Sequence, residues 1–123
     1  MSPNRWIAIG ALLGGAAVGA GAFGAHGLKK LVTPEMLEVW RTGVLYHALH
    51  SLALVGFGLY QARFGGRGIA AGLMLAGTLI FAGSLYGLTL GAPSWLGAIT
   101  PIGGVAMILG WVVFAVSAWR AKS

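Results

Sequence analysis

The sequence contains no cysteine and no aspartate, and its only acids are Glu35 and Glu38. Without cysteine there are no disulfides, no thiolate metal sites and no thiol nucleophiles. Without aspartate a Ser-His-Asp triad cannot be assembled. Ser51 follows His50 directly, but adjacent helix residues do not face each other. Both glutamates fall in one solvated stretch, so a paired-carboxylate mechanism also fails. Charge of either sign is scarce: 8% of residues are charged, against about 25% in an ordinary soluble domain. That excludes a water-soluble globule, a disordered tail and a nucleic-acid-binding arm. The net charge of +6 arises from eight Lys/Arg over two acids. It is basic in balance but not in density, so no nucleic-acid partner is expected.

What the chain does have is apolar length. Of its 123 residues 58% are hydrophobic, and 22 are glycine. No Gly-Lys-Ser/Thr follows any glycine-rich segment, so a phosphate loop is not indicated. Four apolar stretches cover about 6–25, 43–60, 68–90 and 101–119. Each is close to the roughly 20 residues that cross a bilayer. None alternates with period two, which argues against a β-barrel. The expected fold is all-α, a four-helix transmembrane bundle forming one integral membrane domain, 1–123. No length remains for a separate soluble catalytic domain.

Punctuation supports these spans. Thr33-Pro34-Glu35 reads as N-cap, first-position proline and first-turn acid, so the second helix starts outside the bilayer and enters near Gly43. Phe64-Gly65-Gly66-Arg67-Gly68 is a tight turn, and Gly91-Ala92-Pro93-Ser94 ends the third helix. Thr100-Pro101 reads as a further N-cap and first-position proline, and Trp95–Ile99 as a short interfacial or re-entrant piece. Four spans place both termini on one side. That side holds Arg5, Arg63, Arg67, Arg120 and Lys122, against Lys29, Lys30 and Arg41 on the other. The excess predicts cytoplasmic termini, in a bacterial cytoplasmic membrane. Trp6, Trp40, Trp95 and Trp119 lie near span ends, where aromatic belts form. A cleaved leader ending at Ala20-Gly21-Ala22 is the competing reading of the first span. The run is long for such a leader, and three more spans follow, so a retained helix is expected.

Small residues mark packing faces. Gly10 and Gly14, Gly15 and Gly19, and Gly83 and Gly87 are each four apart, a spacing that lets helices approach closely. With Gly72 and Ala76, the last pair forms one stripe. Packing inside a single bundle is the preferred reading, and oligomerisation the alternative.

Three histidines carry what chemistry there is. His47 and His50 are three apart and share a helix face with Met36, Trp40, Gly43, Ser51, Leu54 and Gly58. They fall about 6 and 10 Å below the span edge at about 1.5 Å per residue. His26 lies near that edge, and Tyr46, Ser84, Tyr86 and Thr100 reach the same layer, in the outer half of the bundle. Ionisable residues inside a span are costly and mark functional positions by default. The plainest role is hydrogen bonding between helices. The alternatives are a transition-metal site of His26, His47 and His50, haem ligation by two histidines, and a proton or solute relay.

Four segments together resemble a known family: Gly21–Leu28 around His26, Trp40–His50, Gly83–Tyr86 and Trp95–Gly104. They are similar to the bacterial domain-of-unknown-function 423 family of small membrane proteins, to which the eukaryotic transmembrane protein 256 group is related. The resemblance covers nearly the whole chain, in order. It implies a small multi-pass membrane protein with no assigned reaction. Its Ala-His-Gly, Tyr-His-x-x-His, Gly-Ser-x-Tyr and Thr-Pro-x-Gly-Gly elements fall on His26, on Tyr46, His47 and His50, on Ser84 and Tyr86, and on Thr100 and Pro101. The expectation is a non-enzymatic packing, assembly or interaction protein without a resident cofactor. It would sit in the lipid bilayer, with a membrane-protein partner or as a homo-oligomer.

Overall fold

The computed structural model describes residues 1–122. They form four long helices: α1 (Pro3–Ala25), α2 (Pro34–Phe64), α3 (Ile69–Thr89) and α4 (Thr100–Arg120). Single 3-10 turns at Leu28–Lys30 and Ser94–Ala98 complete the links α1–α2 and α3–α4. All four helices are long and apolar enough to cross a membrane. The fold is all-α, with no strand among the described residues, and both termini emerge at one end.

Local chemistry sets the helix starts. The Thr33 hydroxyl accepts from the Met36 N–H, and Pro34 opens α2. Ser2 and Pro3 repeat this on α1, which therefore begins three residues before the apolar run at Trp6. The start of α4 differs from the expected one. Ile99 (φ −84°, ψ −30°) is already helical as it leaves the Ser94–Ala98 turn and takes the cap position, so Thr100 is inside the helix. Its hydroxyl bonds instead to Ser84. α2 runs 31 residues, about 46 Å at 1.5 Å per residue, and overshoots a roughly 30 Å apolar core. The overshoot accommodates the exposed Glu38–Arg41 pair at 2.8 Å.

Neighbours in sequence are neighbours in space. α1 packs on α2, α2 on α3 and α3 on α4, while no extensive contact joins α1 to α4. α2 and α3 are thus the inner pair. A core of Trp6, Leu54, Phe57, Ala70, Ala71 and Met74 fills the end that bears the termini. A second cluster, Leu28, Leu37 and Trp40, closes the other end. His47 and His50 lie between them along α2.

Glycine decides how close the outer seams come. A Cβ at Gly10 would stand 2.7 Å from the Ser51 carbonyl oxygen, and one at Gly103 would stand 2.5 Å from the Phe81 nitrogen. Both seams are backbone against backbone. Of the glycines expected to pack, Gly10 does so, and Gly14 has ordinary room beside Ser51. Gly15, Gly19, Gly72 and Gly83 do not: nothing lies within 4 Å of a Cβ built there. Gly87 faces only the flexible tip of Leu96 and the Ala92 methyl. Four-residue spacing marks a small face, but only the position of the next helix decides which small face is covered. The tryptophans divide in the same way. Trp95 and Trp119 are exposed as an aromatic belt requires, whereas Trp6 and Trp40 are buried packing residues.

Candidate functional site

The site is built on one stripe of α2. Trp40, Gly43, His47, His50, Ser51, Leu54 and Gly58 are all buried, as their shared helical face requires, while Glu38 and Arg41 are exposed. The stripe is flanked by α1 and α3 on one side and by α3 and α4 on the other.

On the first side, Gly43 leaves room for the Tyr86 ring, which would meet a Cβ at 2.8 Å. That ring lies against Trp40, with centroids 4.4 Å apart. Its hydroxyl reaches His47 Nδ1 at 2.8 Å. Trp40, fitted over bare Gly24, donates from Nε1 to the Ala20 carbonyl at 2.8 Å. One chain of contacts therefore runs from α1 through Trp40 and Tyr86 to His47, crossing three helices. His47 Nε2 is buried and has no hydrogen-bond partner. The Leu13 carbonyl on α1 is nearby but outside bonding geometry. Beside His47 a groove of about 130 Å³ opens between α1 and α3, walled by Leu13, Thr78, Leu79, Ala82, Gly83 and Tyr86.

On the second side, His50 lines a groove of about 290 Å³ with Tyr46, Leu49, Phe81, Met107 and Trp111, but both of its nitrogens are bonded. Its Nδ1 lies 2.8 Å from the Tyr46 carbonyl, and Trp111 of α4 donates from Nε1 to its Nε2 at 3.0 Å. The partners fix the tautomer. An indole N–H can only donate and a carbonyl can only accept, so Nδ1 carries the proton and Nε2 the lone pair. His50 is neutral, with both nitrogens in use. Tyr46 meets Phe81 of α3 edge to face, with centroids 4.9 Å apart. At the start of α4 in the α3–α4 seam, Ser84 donates to the Phe81 carbonyl at 2.9 Å, which leaves the Thr100 hydroxyl to donate to Ser84 at 2.6 Å.

The expected polar layer is thus three separate bonded groups: His47 with Tyr86, His50 with Tyr46 and Trp111, and Ser84 with Thr100. His26 is not among them. It is the exposed C-cap of α1. The described residues contain no group of three His or Glu side chains placed to hold a metal ion. The three-histidine site is therefore not formed, because α1 ends before it can turn His26 inward. Two-histidine haem ligation meets an obstacle at His50, whose nitrogens are both engaged. Sequence reasoning passed over Trp111, the partner that defines His50. A signal was present: a tryptophan in mid-span carries an N–H that hydrocarbon cannot satisfy. Other span hydroxyls are satisfied within their own helix, Ser51 by the His47 carbonyl and Thr78 by that of Met74.

Comparison with known proteins follows the same residues. The profile of a family described as "Protein of unknown function (DUF423)" matches residues 20–104. The chain belongs to the DUF423 family. "UPF0382 membrane protein YwdK" of Bacillus subtilis is 46% identical over 116 residues, covering 92% of this chain and 94% of its own. A "UPF0382 membrane protein" of Staphylococcus aureus (strain bovine RF122) is 41% identical over 116 residues, covering 94% and 95%. One of Staphylococcus epidermidis is 42% identical over 113 residues, covering 91% and 93%. No solved structure gives a significant match. This DUF423 protein is a membrane protein of four apolar helices, from a family to which no reaction is assigned.

Proposed function

We propose that this DUF423 protein is a non-enzymatic component of a bacterial cytoplasmic membrane, with cytoplasmic termini, that packs against and stabilises another membrane-embedded helix. One observation supports this reading most directly. The outer face of α1 and α2 holds an apolar cavity of about 650 Å³ lined by small residues, including Gly14, Ala17, Gly21 and Ala48. Apolar exposure alone means nothing in a bilayer, because lipid covers it. A concave face of glycine and alanine is different, since it lets a second backbone approach. Gly15 and Gly19 extend the same exposed helix without any internal neighbour. The neutral, bonded His50 fits a structural role for the polar layer rather than a reactive one.

Photo-crosslinking from Val18, which is 74% exposed in this groove, tests the proposal in native membranes. A discrete larger product is expected, formed with a second copy or another membrane protein. A protein that stays monomeric in the membrane and after purification ends the proposal. Orientation is checked separately, because the chain has no cysteine. A Lys122→Cys variant should be shielded from an impermeant maleimide in intact cells, and Leu31→Cys should react. The reverse pattern inverts the assignment.

A second reading, a small proton or solute path, draws on the unpartnered His47 Nε2 beside its groove. Liposome flux should then fall in His47→Ala. Equal flux with and without the histidine removes it.

A further inference from the structure

The end of the bundle that carries the termini holds Arg5, Arg63, Arg67, Arg120 and Lys122, and no acidic side chain among the described residues. Two of these cations are built into a cleft. The α2–α3 turn uses left-handed backbone at Gly65 (φ 73°) and Gly66 (φ 99°), conformations that favour glycine. Gln61, buried on α2, donates from Nε2 to the Gly66 carbonyl at 2.9 Å and pins the turn. This holds Arg67 across from Arg120 in the last turn of α4. Between them is a cavity of about 230 Å³, walled by Phe57, Tyr60, Phe64 and Ser117. Arg63 is engaged separately, its guanidinium 4.9 Å over the Phe64 ring. Exposed Trp119, on the same turn as Arg120, marks the depth of the lipid headgroups.

We propose that this cleft binds the phosphate headgroup of an anionic phospholipid. Two guanidiniums flanking a cavity suit a phosphate, because each presents a planar fork of donors to its oxygens. Basic pockets between spans at the membrane surface recognise such headgroups. The aromatic wall gives the start of an acyl chain a surface to follow into the apolar region. A rim anchor would need only positive charge near the surface. A site needs these two side chains at this cleft, and that difference can be measured.

The full-length protein is reconstituted in nanodiscs of phosphatidylcholine with a minority of phosphatidylglycerol. Lipids retained on release are counted by native mass spectrometry. The wild type should retain phosphatidylglycerol preferentially. Arg67→Gln/Arg120→Gln should lower that preference roughly 25-fold, at about fivefold per arginine. Arg5→Gln/Lys122→Gln removes the same charge from the same end and should keep it. Equal loss in both double variants, or none in the first, overturns the proposal. Displacement of the lipid by inorganic phosphate also overturns it, because the occupant would then be a soluble anion. If the Arg67/Arg120 double variant loses its helical circular dichroism, the two single variants carry the test, each expected to lose about fivefold.

Discussion

The two sides of α2 present their histidines differently. Toward α4, His50 has both nitrogens bonded, and the helices around it are clamped where Gly103 meets the Phe81 backbone. Toward α1 and α3, His47 has one nitrogen bonded and one bare. Both histidines line a groove, of about 130 Å³ at His47 and about 290 Å³ at His50, so open space does not separate them. Both are buried, His47 at 8% and His50 at 3% exposure, so burial does not separate them. The difference is the neighbour. A tryptophan donor reaches His50 from α4, whereas no side chain of α1 completes His47 Nε2. Two histidines three residues apart on one helix can thus be one finished structural joint and one position with unused capacity.

The largest expected effect attacks the clamp. Gly103→Leu forces a side chain into the α3 backbone and should cost about 3 kcal/mol, the upper end for overpacking, with loss of the folded protein in detergent. Gly83→Leu, where a Cβ would meet nothing, should be close to neutral in the same thermal melt. Comparable losses at the two positions would remove the contrast between the sides.

Next in size is His50→Leu, which leaves the Trp111 N–H without an acceptor in an apolar span. It should destabilise by roughly 1–3 kcal/mol. Adding Trp111→Phe should recover part of that loss, because neither partner is then unsatisfied. A double variant no better than the single would mean that packing, not the hydrogen bond, joins α2 to α4. Denaturant titration in mixed micelles reads both.

Tyr86→Phe should be milder, near 0.6 kcal/mol, the usual scale for a hydrogen bond between spans. It removes one bond from a histidine already incompletely bonded. An effect as large as that of His50→Leu would show that His47 joins its helices as firmly as His50 does. The smallest effect belongs to the exposed pair at the α2 overshoot. Glu38→Ala should shift stability by less than about 0.5 kcal/mol, and less still at high salt. It calibrates the assay in which the buried changes are compared.

Much of this architecture was legible in residue order. Four runs of sufficient length, with Thr33-Pro34 and the Gly65-Gly66 turn between them, specify helices and breaks through local backbone chemistry alone. The buried stripe from Trp40 to Gly58 follows from 3.6-residue periodicity. The site was legible only as a set of candidates. His47 and His50 stood out because ionisable groups are rare in apolar spans, and Tyr86, Ser84 and Thr100 because chain direction places them at one depth. Their pairing was not legible, and His26 and Trp111 show why. Depth is a one-dimensional property that a sequence encodes directly, whereas side-to-side position depends on how helices rotate and cross.

The sequence by itself determined the membrane character, the number of helices, the start of α2 and the face of α2 that is buried, because each depends on hydropathy or on interactions within a few residues. The tertiary structure decided which glycines meet a neighbour, which tryptophans leave the lipid surface, and which histidine is completed. Those outcomes depend on distances between residues far apart in the chain, and a difference of an ångström or two separates a bonded nitrogen from a bare one.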